Sequence, residues 1–201
     1  MSKQYCDGRS LSEALLKGAN VLADNVSSTL GPRGRNVILQ EKGKTPIITK
    51  DGVTVANFVE LSDPFENLGA QVIKQASQQT AALAGDGTTT SVVLSRAILR
   101  EAQRYLTSGV SPIELKRGID KAVEAIVERI AEIAKPISSE EDIEHVASIS
   151  ANNDRTIGKL IATAVDKVGK DGSITIEEAR SVDTSLDIVE GFRFDAGYLA
   201  G

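Results

Sequence analysis

The chain has 201 residues, of which 41% are hydrophobic, 25% charged and only 3% aromatic. Its net charge of -5 and its few aromatic rings argue against a nucleic-acid surface, which is usually basic and stacks bases on rings. Cys6 is the only cysteine, so no internal disulfide can form and a reducing compartment, the cytoplasm, is expected. No run approaches the roughly 20 apolar residues of a membrane span, so we expect no membrane partner.

The chain is predicted to be mostly helical, with a few short strands. Apolar spacing predicts a first helix through Leu11 and Val26 that stops at Gly31 and Pro32. Residues 36–40 and 46–49 are rich in β-forming residues and enclose turn residues at 41–45, so they predict a hairpin projecting from the surface. Further elements are predicted as helices at residues 64–83, 88–107, 112–134, 139–149 and 154–168, and as strands at residues 173–177 and 186–189.

The most informative chemical pattern is the run from Gly85 to Thr90, which reads Gly-Asp-Gly-Thr-Thr-Thr. The glycines let the backbone approach a ligand, the aspartate can hold a divalent cation, and the threonines supply donors. Helical spacing follows the run, so the threonines open a helix whose N-terminus attracts anions. The run is not a Walker A loop. A plain helix cap is the alternative, and the hexapeptide alone leaves both readings open.

Two other segments make a nucleotide site a stronger hypothesis. Residues 29–32 end the first helix in a turn, and residues 50–52 place a lysine and an aspartate beside a glycine at the end of a strand. A nucleotide site needs backbone donors for phosphates, a carboxylate for Mg²⁺ and a further polar group near the γ-phosphate. The three segments together supply these groups.

The single histidine and the Asn-Asn-Asp segment at 152–154 are both interpreted first as structural features. His145 is the only histidine, and no second histidine is present to share a metal, so a position on a helix surface is expected. Residues 152–154 are Asn-Asn-Asp and are predicted to end one helix and cap the next, with a place at the pocket edge near Ser150 as the alternative.

Five segments resemble the bacterial-type (group I) chaperonin, a ring-forming chaperone. They are TLGPRGRNV at 29–37, TKDGV at 49–53, AGDGTTT at 84–90, LKRGID at 115–120 and SISAN at 148–152. The resemblance implies a mainly α fold with small β elements, the helical bundle of the equatorial domain. It assigns residues 1–135 to the equatorial, ATP-binding domain, 136–190 to the first part of the intermediate domain and 191–201 to the start of the apical domain. Pro136 and Gly191 match the hinges of the intermediate domain.

The resemblance also assigns the site residues. It implies that Asp86 coordinates Mg²⁺ and that Asp51 is an auxiliary catalytic residue near the attacking water. The positions that match the binding pocket for ATP or ADP are Thr29, Leu30, Gly31, Pro32, Lys50, Asp51, Gly52, Asp86, Gly87, Thr88, Thr89, Thr90 and Ser150. The positions whose oxygens are associated with a K⁺ ion are Thr29, Lys50 and Thr89.

The function that the resemblance implies is ATP-dependent assistance of protein folding. Its implied partners are other chaperonin subunits in a ring, with the hairpin at 41–45 adding strands to a neighbour. Unfolded clients and a co-chaperonin would bind through an apical domain that these residues do not contain. The residues match the first third of a family chain, without its main catalytic aspartate, so we expect nucleotide binding with negligible turnover. The alternatives are a non-hydrolysing nucleotide-binding or subunit-interaction fragment of a chaperonin and, less favoured, a small phosphotransferase.

Two apolar stripes are expected to be incompletely covered, because the family packs these helices against parts outside residues 1–201. One stripe runs from Leu11 through Leu22 to Val26, and the other from Val123 to Ile130. Exposed apolar surface of that extent would favour self-association over a compact monomer.

Overall fold

The computed structural model describes residues 4–169, 172–177, 184–188 and 191. Within these ranges the chain forms seven helices and one two-stranded antiparallel sheet, so the mainly α fold class is confirmed. The elements are α1 (Gly8–Ser27), β1 (Val37–Leu39), β2 (Ile47–Thr49), α2 (Gly52–Phe58), α3 (Pro64–Ala84), α4 (Thr88–Thr107), α5 (Pro112–Ile133), α6 (Glu140–Ser150) and α7 (Arg155–Val168). None of the described helices is long and apolar enough to cross a membrane.

The chain divides into two compact units, Met1–Ala134 and Lys135–Gly201. The predicted hairpin is present in the first unit, with Val37 opposite Thr49 and Leu39 opposite Ile47. The six helices predicted from apolar spacing are also present, and their bounds agree closely with the prediction.

Helix α2 is not expected from the sequence, in which residues 50–52 are predicted to end a strand. Asp51 is instead the N-cap of α2, and its carboxylate accepts hydrogen bonds from the N–H groups of Val53 and Thr54 at 3.3 and 2.8 Å. Seven residues rich in valine are too short for a readable helical period. The cap and the burial of Val55 and Ala56 against the core decide the conformation.

The two predicted C-terminal strands are wrong for the residues that the structure describes. Residues 173–177 and 186–188 form no strand there, and residue 189 lies outside the described ranges. Ile176 is 83% exposed. An alternating pattern becomes a strand only when a neighbouring strand accepts its backbone hydrogen bonds, and none of the described residues supplies that partner.

The core of the first unit forms where α1 crosses α3 at two glycines. A Cβ atom on Gly18 would lie 1.7 Å from the carbonyl oxygen of Glu66, and one on Gly69 would lie 2.0 Å from that of Leu15. The missing side chains therefore let the two backbones touch. The largest fully buried apolar side chains around this crossing are Leu22, Val26, Val55, Ile73 and Val92.

The two apolar stripes differ in exposure. The expectation for α1 is wrong at Leu22 and Val26, which are completely buried by α3 and the elements beside it. The expectation for α5 is confirmed, because α5 has no buried residue and Val123 and Ile130 are 49% and 56% exposed. Packing within the first unit uses α1, α2, α3 and α4 and leaves the apolar face of α5 open.

The second unit is built on α6 and α7. Ser139 and Asp142 form a capping box at the start of α6, each accepting the other's backbone N–H at 3.1 Å. The Ser138 backbone N–H, which also donates to this carboxylate, contributes most to holding the pKa of Asp142 below its usual value. These bonds therefore stabilise the unit above the ordinary pKa of aspartate and are lost as pH falls through the lowered pKa.

The predicted break between these helices is confirmed. Asn152 and Asn153 adopt the left-handed conformation, with φ of 58° and 68°, and Asp154 caps α7 by accepting from the N–H groups of Thr156 and Ile157. Asparagine tolerates this conformation better than most residues. His145 is exposed on α6, as predicted, with Nε2 3.9 Å from a carboxylate oxygen of Glu141.

Gly158→Ala is expected to lower the free energy of unfolding of the second unit by about 2 kcal/mol, through overpacking. The new methyl group would lie 1.9 Å from Ser148 Oγ, which is buried and has no hydrogen-bond partner among the described residues. Ser148→Ala should be neutral or stabilising, because it removes an unsatisfied hydroxyl. Urea unfolding followed by circular dichroism measures the free energies of unfolding. The overpacking explanation is contradicted if the double variant, with both Gly158→Ala and Ser148→Ala, is no more stable than Gly158→Ala alone.

Candidate functional site

The loop between α3 and α4 turns on two glycines. Gly85 ends α3 and Gly87 begins α4, and both lie in the left-handed region, with φ of 71° and 84°. Residues with a Cβ atom rarely adopt this conformation. Asp86 lies between them and is exposed, and its Oδ1 accepts a hydrogen bond from the Gly87 N–H at 2.6 Å. A Cβ atom on Gly85 would meet nothing within 4 Å, so the loop faces open space.

The start of α4 can accept an anion. Its N-cap residue, Gly87, has no side chain that could satisfy the first-turn N–H groups of residues 88–90. Together with the helix dipole, these groups favour a negatively charged ligand. Thr88 is buried, Thr89 is half-buried and Thr90 is exposed, so the first turn runs from the core to the surface.

Thr89 is the point at which the three predicted segments meet. Its Oγ1 lies 3.3 Å from Thr29 Oγ1. A Cβ atom on Gly52 would lie 2.2 Å from Thr89 Oγ1 and 3.0 Å from the Thr89 backbone nitrogen. The loop at 29–32, the segment at 50–52 and the run at 86–90 therefore form one continuous surface.

The turn at residues 29–32 is held closed by its own backbone. The Arg35 N–H donates to the Ser28 carbonyl at 2.9 Å, and the Gly34 N–H donates to the Gly31 carbonyl at 3.0 Å. A Cβ atom on Gly34 would lie 2.1 Å from the Thr29 carbonyl oxygen. Thr29 is 5% exposed, whereas Leu30, Gly31 and Pro32 are exposed at the rim.

The segment at residues 50–52 supplies a cation and a carboxylate. Lys50 is half-buried and makes no hydrogen bond or ion pair with the part of the chain that the structure describes. Both oxygens of Asp51 are engaged by α2, and Oδ2 accepts from the Thr54 hydroxyl at 2.5 Å in addition to the Thr54 N–H. This capping role is not expected from the sequence, and the water-side role of Asp51 stays a prediction.

Ser150 belongs to the second unit. It is the last residue of α6 and lines a cavity of about 440 Å³. The other residues around this cavity are apolar and include Ile137, Ile143, Val146, Ile157 and Ile161. The assignment of Ser150 to a nucleotide pocket stays a prediction.

Two residues of α3 support this surface and were missed in the sequence. Lys74 and Ser77 are 8% and 0% exposed, and they contact the end of α2 and the start of α4. The helical spacing of the sequence indicates that both side chains are buried, because residues 69, 70, 73, 74 and 77 form one buried stripe along α3. A lysine within such a stripe requires a specific partner.

The residues at this surface suit a metal-bound nucleotide. One exposed carboxylate, at Asp86, stands beside the uncapped first turn of α4. No group of three or more histidine, cysteine, aspartate or glutamate side chains that could hold a metal occurs among the described residues. This arrangement fits Mg²⁺, which proteins usually hold through one or two carboxylates while phosphate oxygens and water complete the coordination.

Comparison with known proteins identifies the family. Residues 22–201 match the TCP-1/cpn60 chaperonin family. The fold is similar to the crystal structure of the chaperonin gp146 from the bacteriophage EL 2 (Pseudomonas aeruginosa), determined in the presence of ATP-BeFx, with a TM-score of 0.66 and 26% identity. The similarity covers 82% of this chain and 29% of that chain, so this chain spans less than a third of its length. The chain belongs to the TCP-1/cpn60 chaperonin family.

Proposed function

We propose that this chain carries the phosphate- and Mg²⁺-binding part of the ATP site of a group I chaperonin, as the N-terminal portion of the subunit. Family membership supports a chaperone role, and the dependence on nucleotide is the proposed part. The observation that carries it is the meeting of the segments at 29–32, 50–52 and 86–90 around Thr89. The crystal structure of the similar phage chaperonin was determined in the presence of ATP-BeFx, which adds support.

Each group at this surface has a proposed role. The first-turn N–H groups of α4, which Gly87 leaves without a capping side chain, would bind phosphate oxygens, and Asp86 would hold Mg²⁺. When bound, Mg²⁺ supplies positive charge that offsets the charge on the phosphate oxygens. The hydroxyl oxygens of Thr29 and Thr89, which lie 3.3 Å apart, would bind K⁺ together with an oxygen of Lys50.

The expected result is Mg²⁺-dependent binding of ADP by the 201-residue chain. Titration calorimetry with ADP, in buffer with Mg²⁺ and in buffer with a chelator, measures the dissociation constant in each case. We expect a clear loss of affinity without Mg²⁺, because the phosphate charge is then offset only by backbone donors and Lys50. Equal affinity in the two buffers, or no binding in either, would contradict the proposal.

A second candidate, nucleotide binding without turnover, is favoured by the geometry of Asp51. Its two carboxylate oxygens accept three hydrogen bonds from Val53 and Thr54, so the cap of α2 already engages both oxygens that would orient an attacking water. Phosphate release from ATP should therefore be negligible in the sample that binds ADP. Steady release, stopped by removing Mg²⁺, would exclude this candidate.

The proposal extends to partners and location. In the described structure, each strand of the hairpin pairs only with the other, and Ile38 and Ile48 are 68% and 67% exposed. Free strand edges with apolar side chains suit strand addition by a neighbouring subunit of a ring. The equatorial, intermediate and apical assignments, with hinges at Pro136 and Gly191, belong to this proposal. So do the unfolded clients, the co-chaperonin and the cytoplasmic location.

A further inference from the structure

Helix α2 connects the candidate site with α3. At its N-terminus, Gly52 packs against Thr89 so closely that a Cβ atom would overlap the Thr89 hydroxyl. At its C-terminus, the Lys74 Nζ atom of α3 donates hydrogen bonds to the carbonyl oxygens of Val59 at 3.1 Å and Asn57 at 3.4 Å. The helix is only seven residues long, so a shift at one end is transmitted to the other.

Lys74 is a buried cation whose charge needs compensation. It is 8% exposed, and no carboxylate of the described residues forms an ion pair with it. Burying an ammonium group is costly unless it is hydrogen-bonded and its charge is balanced. The carbonyl end of a helix carries partial negative charge and supplies both requirements. The ammonium group therefore acts as an anchor for the end of α2.

The same face of α3 also contacts the other wall of the site. Ser77, which is fully buried, donates its hydroxyl to the Thr88 carbonyl at 3.5 Å. Gln78 donates to the Asn57 side-chain oxygen at 2.8 Å. One turn of α3 thus fixes the end of α2 and the first residue of α4, the two helices whose first turns meet at Thr89.

We propose that Lys74 is a positioning residue for the phosphate site, holding α2 by its terminal carbonyl groups so that Gly52 stays against Thr89. This inference rests on the nucleotide binding proposed above. Without the ammonium group, α2 would lose its anchor, and residues 50–52 would no longer keep a fixed distance from the first turn of α4. Phosphate affinity would fall, although Lys74 does not touch the ligand.

The test compares Lys74→Met with a matched core variant. Methionine keeps much of the length and apolar contact of the lysine stem but cannot donate, so we expect the dissociation constant for ADP with Mg²⁺ to rise about tenfold. Ile73→Val removes one methyl group from the neighbouring buried residue and should change affinity less than about twofold. Lys74→Arg keeps a donating cation and should recover most of the lost affinity.

Amide hydrogen exchange separates positioning from general destabilisation. In Lys74→Met, the amides of residues 55–58 in α2 should exchange faster, whereas that of Leu22 in the core should keep its wild-type rate. Unchanged affinity in Lys74→Met, no rescue by Lys74→Arg, or faster exchange throughout the unit would overturn the inference. Wild-type chain that binds no ADP would instead overturn the proposed function.

Discussion

Asp86→Ala should reduce the affinity for ADP in the presence of Mg²⁺ by about a hundredfold, because it removes the proposed protein ligand of the cation. The loss should appear only with Mg²⁺, so that wild type and variant bind with similar low affinity in a chelator. The fold should be retained, since Asp86 is exposed in a loop whose backbone conformation is set by Gly85 and Gly87. Titration calorimetry measures the affinities, and circular dichroism checks the fold.

The matched control for this variant is Asp120→Ala. Asp120 is an exposed aspartate of α5 that forms an ion pair with Lys116, so its removal changes the net charge by the same amount outside the three segments of the site. We expect its ADP affinity to equal that of the wild type. If Asp86→Ala also bound ADP with wild-type affinity in the presence of Mg²⁺, Asp86 would not be the metal ligand.

Gly69→Ala should destabilise the first unit by at least about 3 kcal/mol, a large part of the stability of a typical domain. The added methyl group would lie 2.0 Å from the carbonyl oxygen of Leu15 and 2.7 Å from its Cα. These are backbone atoms in the middle of α1, so no side-chain rotation can relieve the overlap. The two helices would have to separate, which opens the core around Leu22. Urea unfolding followed by circular dichroism measures the change.

Gly118→Ala provides the control for this variant. Gly118 also lies inside a long helix, α5, but a Cβ atom there would meet nothing within 4 Å. Alanine favours the helix over glycine, so this variant should be more stable than the wild type by about 0.5–1 kcal/mol. Equal effects at Gly69 and Gly118 would show that α1 and α3 do not cross as closely as described.

Several elements could be predicted because their signals are local. Pro64 and Pro112 each begin a helix, at the position where proline is tolerated. The left-handed glycine at residue 85 and the capping box at Ser139 mark helix ends in the sequence itself. Helix α2 and the two expected C-terminal strands were misread, since a short segment takes its conformation from its neighbours.

The candidate site, too, could be predicted from the sequence only in part. The run from Gly85 to Thr90 indicated a phosphate loop because glycine, carboxylate and hydroxyl groups at a helix start have that chemistry in any fold. The involvement of Thr29 and Gly52 was expected from composition and from the chaperonin resemblance. The distances from Thr29 and Gly52 to Thr89 could not be predicted from the sequence, and no local pattern indicated that Asp51 caps α2.

The sequence by itself determined the helical fold class, most helix ends and the chemistry of the phosphate loop, because each depends on residues within one or two turns of each other. Only the tertiary structure decided which glycines are indispensable, since Gly69 and Gly118 have similar sequence settings but different neighbours. It also decided that Lys74 points into the core, at the end of a helix that the sequence did not predict. Such roles depend on contacts between residues far apart in the chain, and local patterns carry no record of them.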